Sequence, residues 1–295
     1  MREIVEDDGV AALLQILRLE ERRPGVFVGE TPRTTRQRVF GGQVAGQALL
    51  AAELDTSENW PVHSLHSYFL RPGDPHEEIR YVVDRLRDGR TFATRRVLAH
   101  QTRKGADVAI FAMTVDFHRP ERAGITHSLP MPDVAAPEDA YDPRAERLLD
   151  TADDHAALMS RAVDQRILDD PSGATMPPAP DTRTRSWFRV ADRLPDDPTI
   201  HAAALTFVSD LTLLTAALTR VGGWQPRYQG ASLDHAVWFH APARADEWFL
   251  YETDSPVAAG SRALCFGQIW SADGRHVATT AQEGLVRDVG RDLDE

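Results

Sequence analysis

The chain has 295 residues, of which 42% are hydrophobic and 26% charged, as in an ordinary globular protein of one large or two medium domains. Its 33 basic and 45 acidic side chains give a net charge of −12, which argues against a nucleic-acid partner held mainly by phosphate neutralisation. The one cysteine, Cys265, excludes an intramolecular disulfide framework and a cysteine-based zinc site, and it indicates a reducing compartment.

The N-terminal segment begins with MREIVEDDGV, which carries acidic side chains where a secretory signal needs a basic segment and then an apolar one. The sequence also lacks an unbroken apolar run of about 18 residues. We therefore expect a cytoplasmic protein without membrane insertion. Val10, Leu13, Leu14 and Leu17 predict an amphipathic helix that packs on the outside of a sheet.

Two halves of the chain repeat the same order of segments, which indicates an old duplication. Each half has an apolar stretch, a strand with two adjacent aromatic residues, a charged alternating stretch, and two further strands joined by a turn. Three matching pairs lie 168 to 170 positions apart: Gly42 and Asp210, Tyr68 and Trp238, and Gly105 and Gly274. This near-constant offset aligns Gly42 with Asp210.

Periodicity predicts one helix and several antiparallel strands in each half. Residues 207–220 continue a helical spacing of apolar side chains with mostly Ala and Thr between them, so this helix is expected to be buried on most sides. Residues 79–86 and 108–117 alternate between apolar and polar side chains, as hairpin strands do. The Asp-Gly dipeptides at 88–89 and 273–274 predict turns.

Residues 119–183 are rich in Pro, Asp and Ala and predict a crossover linker, with one or two short helices at 140–168. Each half offers one long helix and enough strands to wrap around it, so the predicted fold class is α+β. Two such units can join edge to edge, which leaves neither with a bare edge at the junction. The predicted organisation is an N-terminal unit, a linker, a C-terminal unit with the catalytic residues, and an acidic tail: 1–118, 119–183, 184–288 and 289–295.

Five strings carry a family resemblance: RVFGGQVAGQAL and HSLHSYFLRPGDP in the first half, and SDL, SLDHAVWFH and AQEGLVR in the second. They closely resemble the acyl-CoA thioesterase II family, the bacterial TesB-type enzymes, over about residues 20–118 and 184–288. The resemblance implies a double hotdog fold, in which each of two tandem units wraps an antiparallel sheet around a long central helix. It also implies hydrolysis of acyl-CoA thioesters to free acid and CoA in fatty acid or lipid metabolism, without a metal or organic cofactor, by a homo-oligomer.

The resemblance also implies three site residues in the second half. They are Asp210 of the S-D-L motif, Ser232 ahead of the D-H-x-x-W-F-H motif, and Gln282 of the Q-E-G motif. Many family members have Thr in place of Ser232, and both residues supply a hydroxyl. We hypothesise that Asp210 takes a proton from a water that Ser232 and Gln282 hold, because hydrolysis needs a base and groups that aim the water.

The developing oxyanion needs hydrogen-bond donors, and the sequence offers the backbone at Gly41, Gly42 and Gln43. Glycines permit close approach, and the helix that follows presents free N–H groups with a favourable dipole. His66 is a further candidate for substrate binding, since it lies in the strand after this helix. If Gly42 occupies the position of Asp210 in the first repeat, the duplicated chain retains one full site.

Several alternatives stay open at this point. Asp210 could be a helix cap, Gln282 a strand amide, and most histidines structural, since no metal-binding His-Glu-x-x-His string occurs. Ser232 lacks the Gly-x-Ser-x-Gly context of a serine hydrolase. A hotdog enoyl-CoA hydratase pairs its Asp with a His five residues later, where this chain has Thr215. A non-catalytic acyl-CoA-binding protein is the third reading.

Overall fold

A computed structural model describes residues 9–31, 37–56, 60–122, 124–143, 161–168, 182–222 and 227–290. The helices in these ranges are α1 (Gly9–Leu17), α2 (Gly41–Leu54), α3 (Pro198–Ser209) and a 3-10 helix (Leu213–Val221). The strands are β1 (Leu19–Arg23), β2 (Val26–Gly29), β3 (Val62–Phe69), β4 (Ile79–Asp88), β5 (Phe92–Arg103), β6 (Ala106–His118), β7 (Val163–Ile167), β8 (Thr184–Val190), β9 (Tyr228–Ser232), β10 (Asp234–Phe239), β11 (Phe249–Ala259), β12 (Arg262–Ser271) and β13 (His276–Asp288).

The strands form one antiparallel sheet in the order β1-β2-β4-β5-β6-β3-β10-β13-β12-β11-β8-β7, and β9 pairs with one end of β13. The two halves meet where β3 pairs with β10, with Leu65 opposite Val237. Strands β4 and β6 and the turns after Asp88 and at 273–274 confirm the predicted hairpins. The α+β double hotdog arrangement that the resemblance implies is therefore confirmed.

The two long helices α2 and α3 lie antiparallel and in contact inside the curved sheet. A Cβ atom at Gly42 would lie 2.5 Å from the carbonyl oxygen of Phe207, so only glycine allows this close approach. Further along, a Cβ at Gly46 would lie 3.1 Å from the carbonyl oxygen of Ala203. This packing places the first turn of α2 beside the end of α3.

The predicted helix at 207–220 is wrong in its boundaries. The sequence there forms the end of α3 and the 3-10 helix, with a break between them. Asp197 accepts a hydrogen bond from the N–H of Thr199 and Pro198 follows it, and these two start signals set the helix earlier. The stretch Pro198–Thr219 is long and apolar enough to cross a membrane by length and composition, but most of it is buried in this core.

The alignment of Gly42 with Asp210 is therefore also wrong. Gly42 lies in the first turn of α2, whereas Asp210 is the residue after the end of α3. The structural counterpart of Asp210 is Asp55, which follows the end of α2. The second half inserts the 3-10 helix and β9 between its helix and its central strand, so the offset that holds for the strands does not apply to the helices.

Two further predictions need correction. Helix α1 packs against α2 and α3 in the core instead of outside the sheet, and Leu13 is fully buried. Part of the predicted linker is a strand, since β7 pairs with β8 at the edge of the sheet. The rest of the helical prediction, over residues 144–160, lies outside the described residues, as does most of the predicted acidic tail.

Candidate active site

The site is built around Asp210, where the polypeptide leaves α3. The antiparallel helix packing brings this carboxylate to the first turn of α2, and the N–H of Gly42 donates a hydrogen bond to it. A Cβ atom at Gly41 would lie only 2.7 Å from Asp210 Oδ2. The pair of glycines therefore lets a carboxylate rest directly on a helix N-terminus, where the helix dipole favours negative charge.

Two side chains from neighbouring strands complete the cluster. Ser232, the last residue of β9, donates from Oγ to Asp210 Oδ1 over 3.0 Å. Gln282, in the middle of β13, donates from Nε2 to the same oxygen over 2.7 Å. The pairing of β9 with β13 brings these two side chains close together, since Ser232 stands opposite Gly284. The structure thus brings together the three residues that the resemblance selected.

The ionisation of Asp210 reflects two opposing effects. Burial raises its pKa to about 6, because the charged form loses hydration, while the hydrogen bonds from Gln282, Ser232 and Gly42 partly offset this rise. An ordinary carboxyl group titrates about two pH units lower. Asp210 is therefore ionised near neutral pH and is also a stronger proton acceptor than an exposed aspartate.

A cavity of about 620 Å³ opens onto Asp210 and Ser232. This volume is typical of sites that bind small molecules. Its walls are largely apolar, and two exposed arginines, Arg38 and Arg71, also line it. The apolar lining side chains include Val44, Phe69, Ile110 and Phe111.

Four predicted substrate-binding residues have different placements. Gly41 lines the cavity. The N–H of Gly42 is already engaged by Asp210, and the side chain of Gln43 turns away to the carbonyl oxygen of Glu30. His66 does not reach the cavity, because its side chain is exposed and its neighbours on the strand, Leu65 and Ser67, are the buried ones.

The exposed His66 packs edge-on against Trp238, with 5.1 Å between the ring centroids. This contact lies on the outer face of the junction between the two halves. The sequence HSLHSYF does not show which face of β3 is buried, because small, large and polar side chains occur at both odd and even positions. The expectation of a substrate contact at His66 is therefore not supported by its position.

Sequence reasoning missed two buried groups near Asp210. His235 is fully buried, and its Nε2 lies 2.9 Å from Ser209 Oγ. The hydroxyl of Tyr251 donates to the carbonyl oxygen of Ser209 over 3.0 Å. His235 follows Asp234 in the D-H motif, which could have indicated a functional imidazole. Only the strand register shows which groups this imidazole faces.

The equivalent end of α2 is neutralised in the first half. The carboxylate of Asp55 accepts from Arg95 Nε over 3.0 Å and from Arg85 Nε over 2.9 Å. Arg95 is almost fully buried and also donates to Asp88 Oδ1 over 2.6 Å. This first-half counterpart is thus paired with two guanidinium groups, an arrangement that differs from the uncharged donors found at Asp210.

Within the described ranges, no group of three or more His, Cys, Asp or Glu side chains is arranged to hold a metal ion. The polar groups gathered at Asp210 are its carboxylate, the Ser232 hydroxyl, the Gln282 amide and the backbone N–H of Gly42.

Comparisons with known proteins agree over both halves. A family model described as the acyl-CoA thioesterase N-terminal domain matches residues 30–118, and one described as the C-terminal domain matches residues 132–286. The chain is 37% identical over 284 residues to acyl-CoA thioesterase 2 of Haemophilus influenzae, with 93% of this chain and 96% of that protein covered. It is 35% identical over 285 residues to human acyl-coenzyme A thioesterase 8, with 92% and 88% covered.

Among solved structures, the acyl-CoA thioesterase II TesB2 of Mycobacterium marinum superposes with a TM-score of 0.75 at 39% identity, with 93% of this chain and 97% of that chain covered. A tesB protein of Mycobacterium avium superposes with a TM-score of 0.78 at 30% identity, with 94% and 99% covered. Sequence motifs, family models and fold therefore agree, and the chain belongs to the acyl-CoA thioesterase II family of TesB-type thioester hydrolases.

Proposed function

We propose that this thioesterase hydrolyses acyl-CoA by direct attack of a water molecule that Asp210 deprotonates. One observation carries the proposal: a buried carboxylate with a pKa of about 6 faces a largely apolar cavity and accepts hydrogen bonds from Ser232 and Gln282. A carboxylate offers about four acceptor positions, and three are used by Ser232, Gln282 and Gly42. The remaining position is available to a water.

The role of Ser232 and Gln282 follows from their contacts. Both donate to the same oxygen, Asp210 Oδ1, so they orient the carboxylate. Ser232 also lines the cavity, and a hydroxyl can accept as well as donate. We therefore assign Ser232 as a second contact for the attacking water and Gln282 as the residue that holds Asp210 in place.

The reaction needs a donor for the thioester oxygen as negative charge develops. Gly41 lines the cavity at the N-terminus of α2, where backbone N–H groups have no partner within the helix. Its N–H is the donor we propose for the oxyanion, because the N–H of Gly42 already serves Asp210. A backbone donor of this kind is typically worth roughly 3 kcal/mol in the transition state.

Acyl-CoA has an apolar chain and an anionic head, and the cavity offers a match for each. Phe69, Ile110 and Phe111 provide an apolar surface for the acyl chain. The exposed guanidinium groups of Arg38 and Arg71 can pair with phosphate oxygens, as arginine does in a forked geometry. This assignment places the thioester between the two regions, next to Asp210.

The hydratase alternative receives no support from this geometry. Hydration of an enoyl thioester needs an acid–base partner beside the aspartate, and the groups that hydrogen-bond to Asp210 in the described structure are a hydroxyl, an amide and a backbone N–H. The non-catalytic alternative differs only in turnover, so an activity assay separates it from the proposal.

The experiment is the release of free thiol from a panel of acyl-CoAs of different chain length. We expect turnover by the wild type, and a fall in kcat on the order of 10² to 10⁴ in Asp210→Asn. The matched control is Asp116→Asn, because Asp116 also accepts from a hydroxyl, Thr94 Oγ1, but lies away from the cavity. Tight acyl-CoA binding without hydrolysis by the wild type would select the non-catalytic alternative.

The cytoplasmic location, the homo-oligomer and the role in fatty acid metabolism stay predictions. Strands β1 and β7 end the sheet in the described structure, and another copy of the chain could cover such edges. Sedimentation velocity of the full chain measures the oligomeric state directly.

A further inference from the structure

His235 is a fully buried imidazole beside the site, and no step of the proposed reaction uses it. Strands β10 and β13 pair antiparallel with Ala236 opposite Ala281, and the next position in this register sets His235 opposite Gln282. Directly opposite residues project their side chains to the same face of a sheet. The imidazole and the amide are therefore neighbours, and only 0% and 1% of the two residues is exposed.

Each of these neighbours has one unmet polar atom. Among the described residues, His235 Nδ1 and Gln282 Oε1 are both buried side-chain atoms without a hydrogen-bond partner. A ring nitrogen that carries a proton can donate a hydrogen bond, whereas an amide oxygen can only accept a hydrogen bond. An unmet buried polar group destabilises the fold, and these two atoms complement each other.

The protonation of His235 follows from its surroundings. Burial lowers its pKa to about 4, so the ring is neutral at physiological pH and carries a single N–H. Its Nε2 lies 2.9 Å from Ser209 Oγ, and the one proton of this hydroxyl has two acceptors at that distance, Nε2 and the carbonyl oxygen of Thr206. With a proton on Nδ1, the hydroxyl donates to Nε2, and both ring nitrogens and Gln282 Oε1 have a partner. With a proton on Nε2, the hydroxyl donates to Thr206, and Nδ1 and Gln282 Oε1 are two buried acceptors without a donor.

We propose that His235 is a positioning residue for thioester hydrolysis, whose Nδ1–H donates to Gln282 Oε1 and holds the amide nitrogen toward Asp210. The inference rests on the proposed function, because His235 acts only through Gln282. If the amide turned around, its oxygen would face the carboxylate, and only a protonated Asp210 could donate to it. The imidazole thus keeps Asp210 in the ionised form that accepts a proton.

Among the described residues, two other ionisable side chains near Asp210 are Tyr251 and Cys265. Tyr251 from β11 has a pKa raised by burial, and burial raises the pKa of the Cys265 thiol on β12 to about 11, so both are neutral. Arg38 and Arg71 also line the cavity. The neighbouring turn of α2 contributes Gly41, Gly42 and Gln43 and no ionisable side chain. A pH midpoint near 6 in kcat therefore reports Asp210.

Two amide substitutions at position 235 separate the roles of the two ring nitrogens. His235→Asn places an N–H near the position of Nδ1, whereas His235→Gln places its amide near Nε2 and Ser209. We expect His235→Gln to raise the pH midpoint of kcat by about one unit, the equivalent of one hydrogen bond. With KM unchanged, kcat should then fall about tenfold at pH 5 and only about twofold at pH 7. His235→Asn should stay within about twofold of the wild type and keep its midpoint.

An equal loss of kcat in both variants at every pH, with the wild-type midpoint retained, would show a structural role and overturn the proposal. Because either variant could misfold, nitrogen NMR of the 15N-histidine-labelled wild type provides a second measurement. We expect the Nδ1–H tautomer at His235, and an Nε2–H tautomer would overturn the proposal. A wild-type kcat in Asp210→Asn would instead overturn the proposed function, while the tautomer would still show whether His235 holds Gln282.

Discussion

Gly41→Ala should reduce catalysis without unfolding the protein. The new Cβ would lie 2.7 Å from Asp210 Oδ2 and 2.9 Å from the ring of Phe69, whereas ordinary contact begins at 3.4 Å. The carboxylate must then shift by about 0.7 Å, and a misplacement of about 1 Å can cost on the order of 10²-fold in rate. Alanine in place of a helical glycine favours folding by roughly 0.5–1 kcal/mol, which offsets part of an overpacking cost of about 1–3 kcal/mol.

The matched control for this substitution is Gly46→Ala. Its Cβ would lie 3.1 Å from the carbonyl oxygen of Ala203, so it also crowds the helix interface, but it touches no site residue. The assay is thiol release at saturating acyl-CoA, with the midpoint of thermal unfolding measured by circular dichroism. Near wild-type kcat in a folded Gly41→Ala, or an equal loss in Gly46→Ala, would refute the reasoning.

Three further predictions follow from the charges and burial. Burial raises the pKa of Asp210 to about 6, so the unfolded chain loses this proton at a lower pH than the folded protein does. The free energy of unfolding should therefore fall by roughly 3 kcal/mol as the pH rises from about 4 to about 6. Asp210→Asn should therefore raise the midpoint of thermal unfolding at pH 8 but not at pH 4, and the wild-type kcat should rise through pH 6. An equal shift of the unfolding midpoint at both pH values would contradict the raised pKa of Asp210. Arg95→Leu should lower the free energy of unfolding by about 3–5 kcal/mol, because it leaves the buried carboxylate of Asp55 with one partner that is itself largely exposed, and urea denaturation measures this; a loss below about 1 kcal/mol would refute it. Cys265 is fully buried with a pKa of about 11, so it should react with a thiol reagent only after denaturation, and labelling at the native rate of an exposed thiol would show otherwise.

The repeated strands carry strong local signals, which were sufficient to predict the hairpins and the α+β class, whereas the double hotdog arrangement came from the family resemblance. The alternation in 79–86 and the Asp-Gly turns produce the hairpins β4–β5 and β12–β13 as expected. The three site residues, by contrast, came from the motif resemblance, since Ser232 and Gln282 are uninformative alone. Their meeting at Asp210 Oδ1 depends on the pairing of β9 with β13, which is a long-range contact.

The errors have a common physical origin in the second helix. Leu211, Leu214 and Leu218 continue the helical spacing of apolar residues in α3. The α-helix nevertheless ends before Asp210, and these leucines belong to a separate turn and 3-10 helix that packs against the sheet. Periodicity alone does not register such a break, because both segments bury the same kind of side chain. The resulting shift placed Gly42 opposite Asp210 in the repeat, when Asp55 is the equivalent residue.

The comparison of Asp55 with Asp210 explains how a duplicated chain comes to hold one site. Both residues follow a central helix, and both are buried. Arg95 and Arg85 pair with the first, whereas the second accepts from uncharged donors of the described residues, namely Ser232, Gln282 and Gly42. The same backbone position thus holds an ion-paired carboxylate in one half and, in our proposal, the proton acceptor in the other.

The most direct test of the account is a single turnover of acyl-CoA in ¹⁸O-labelled water with enzyme in excess, followed by mass analysis of the acid and of the enzyme peptides. Direct attack by the water at Asp210 predicts one labelled oxygen in the released acid, and no label or acyl group on the peptides that contain Asp210 and Ser232. An acyl adduct on either peptide, or labelled oxygen in the Asp210 carboxylate, would contradict it.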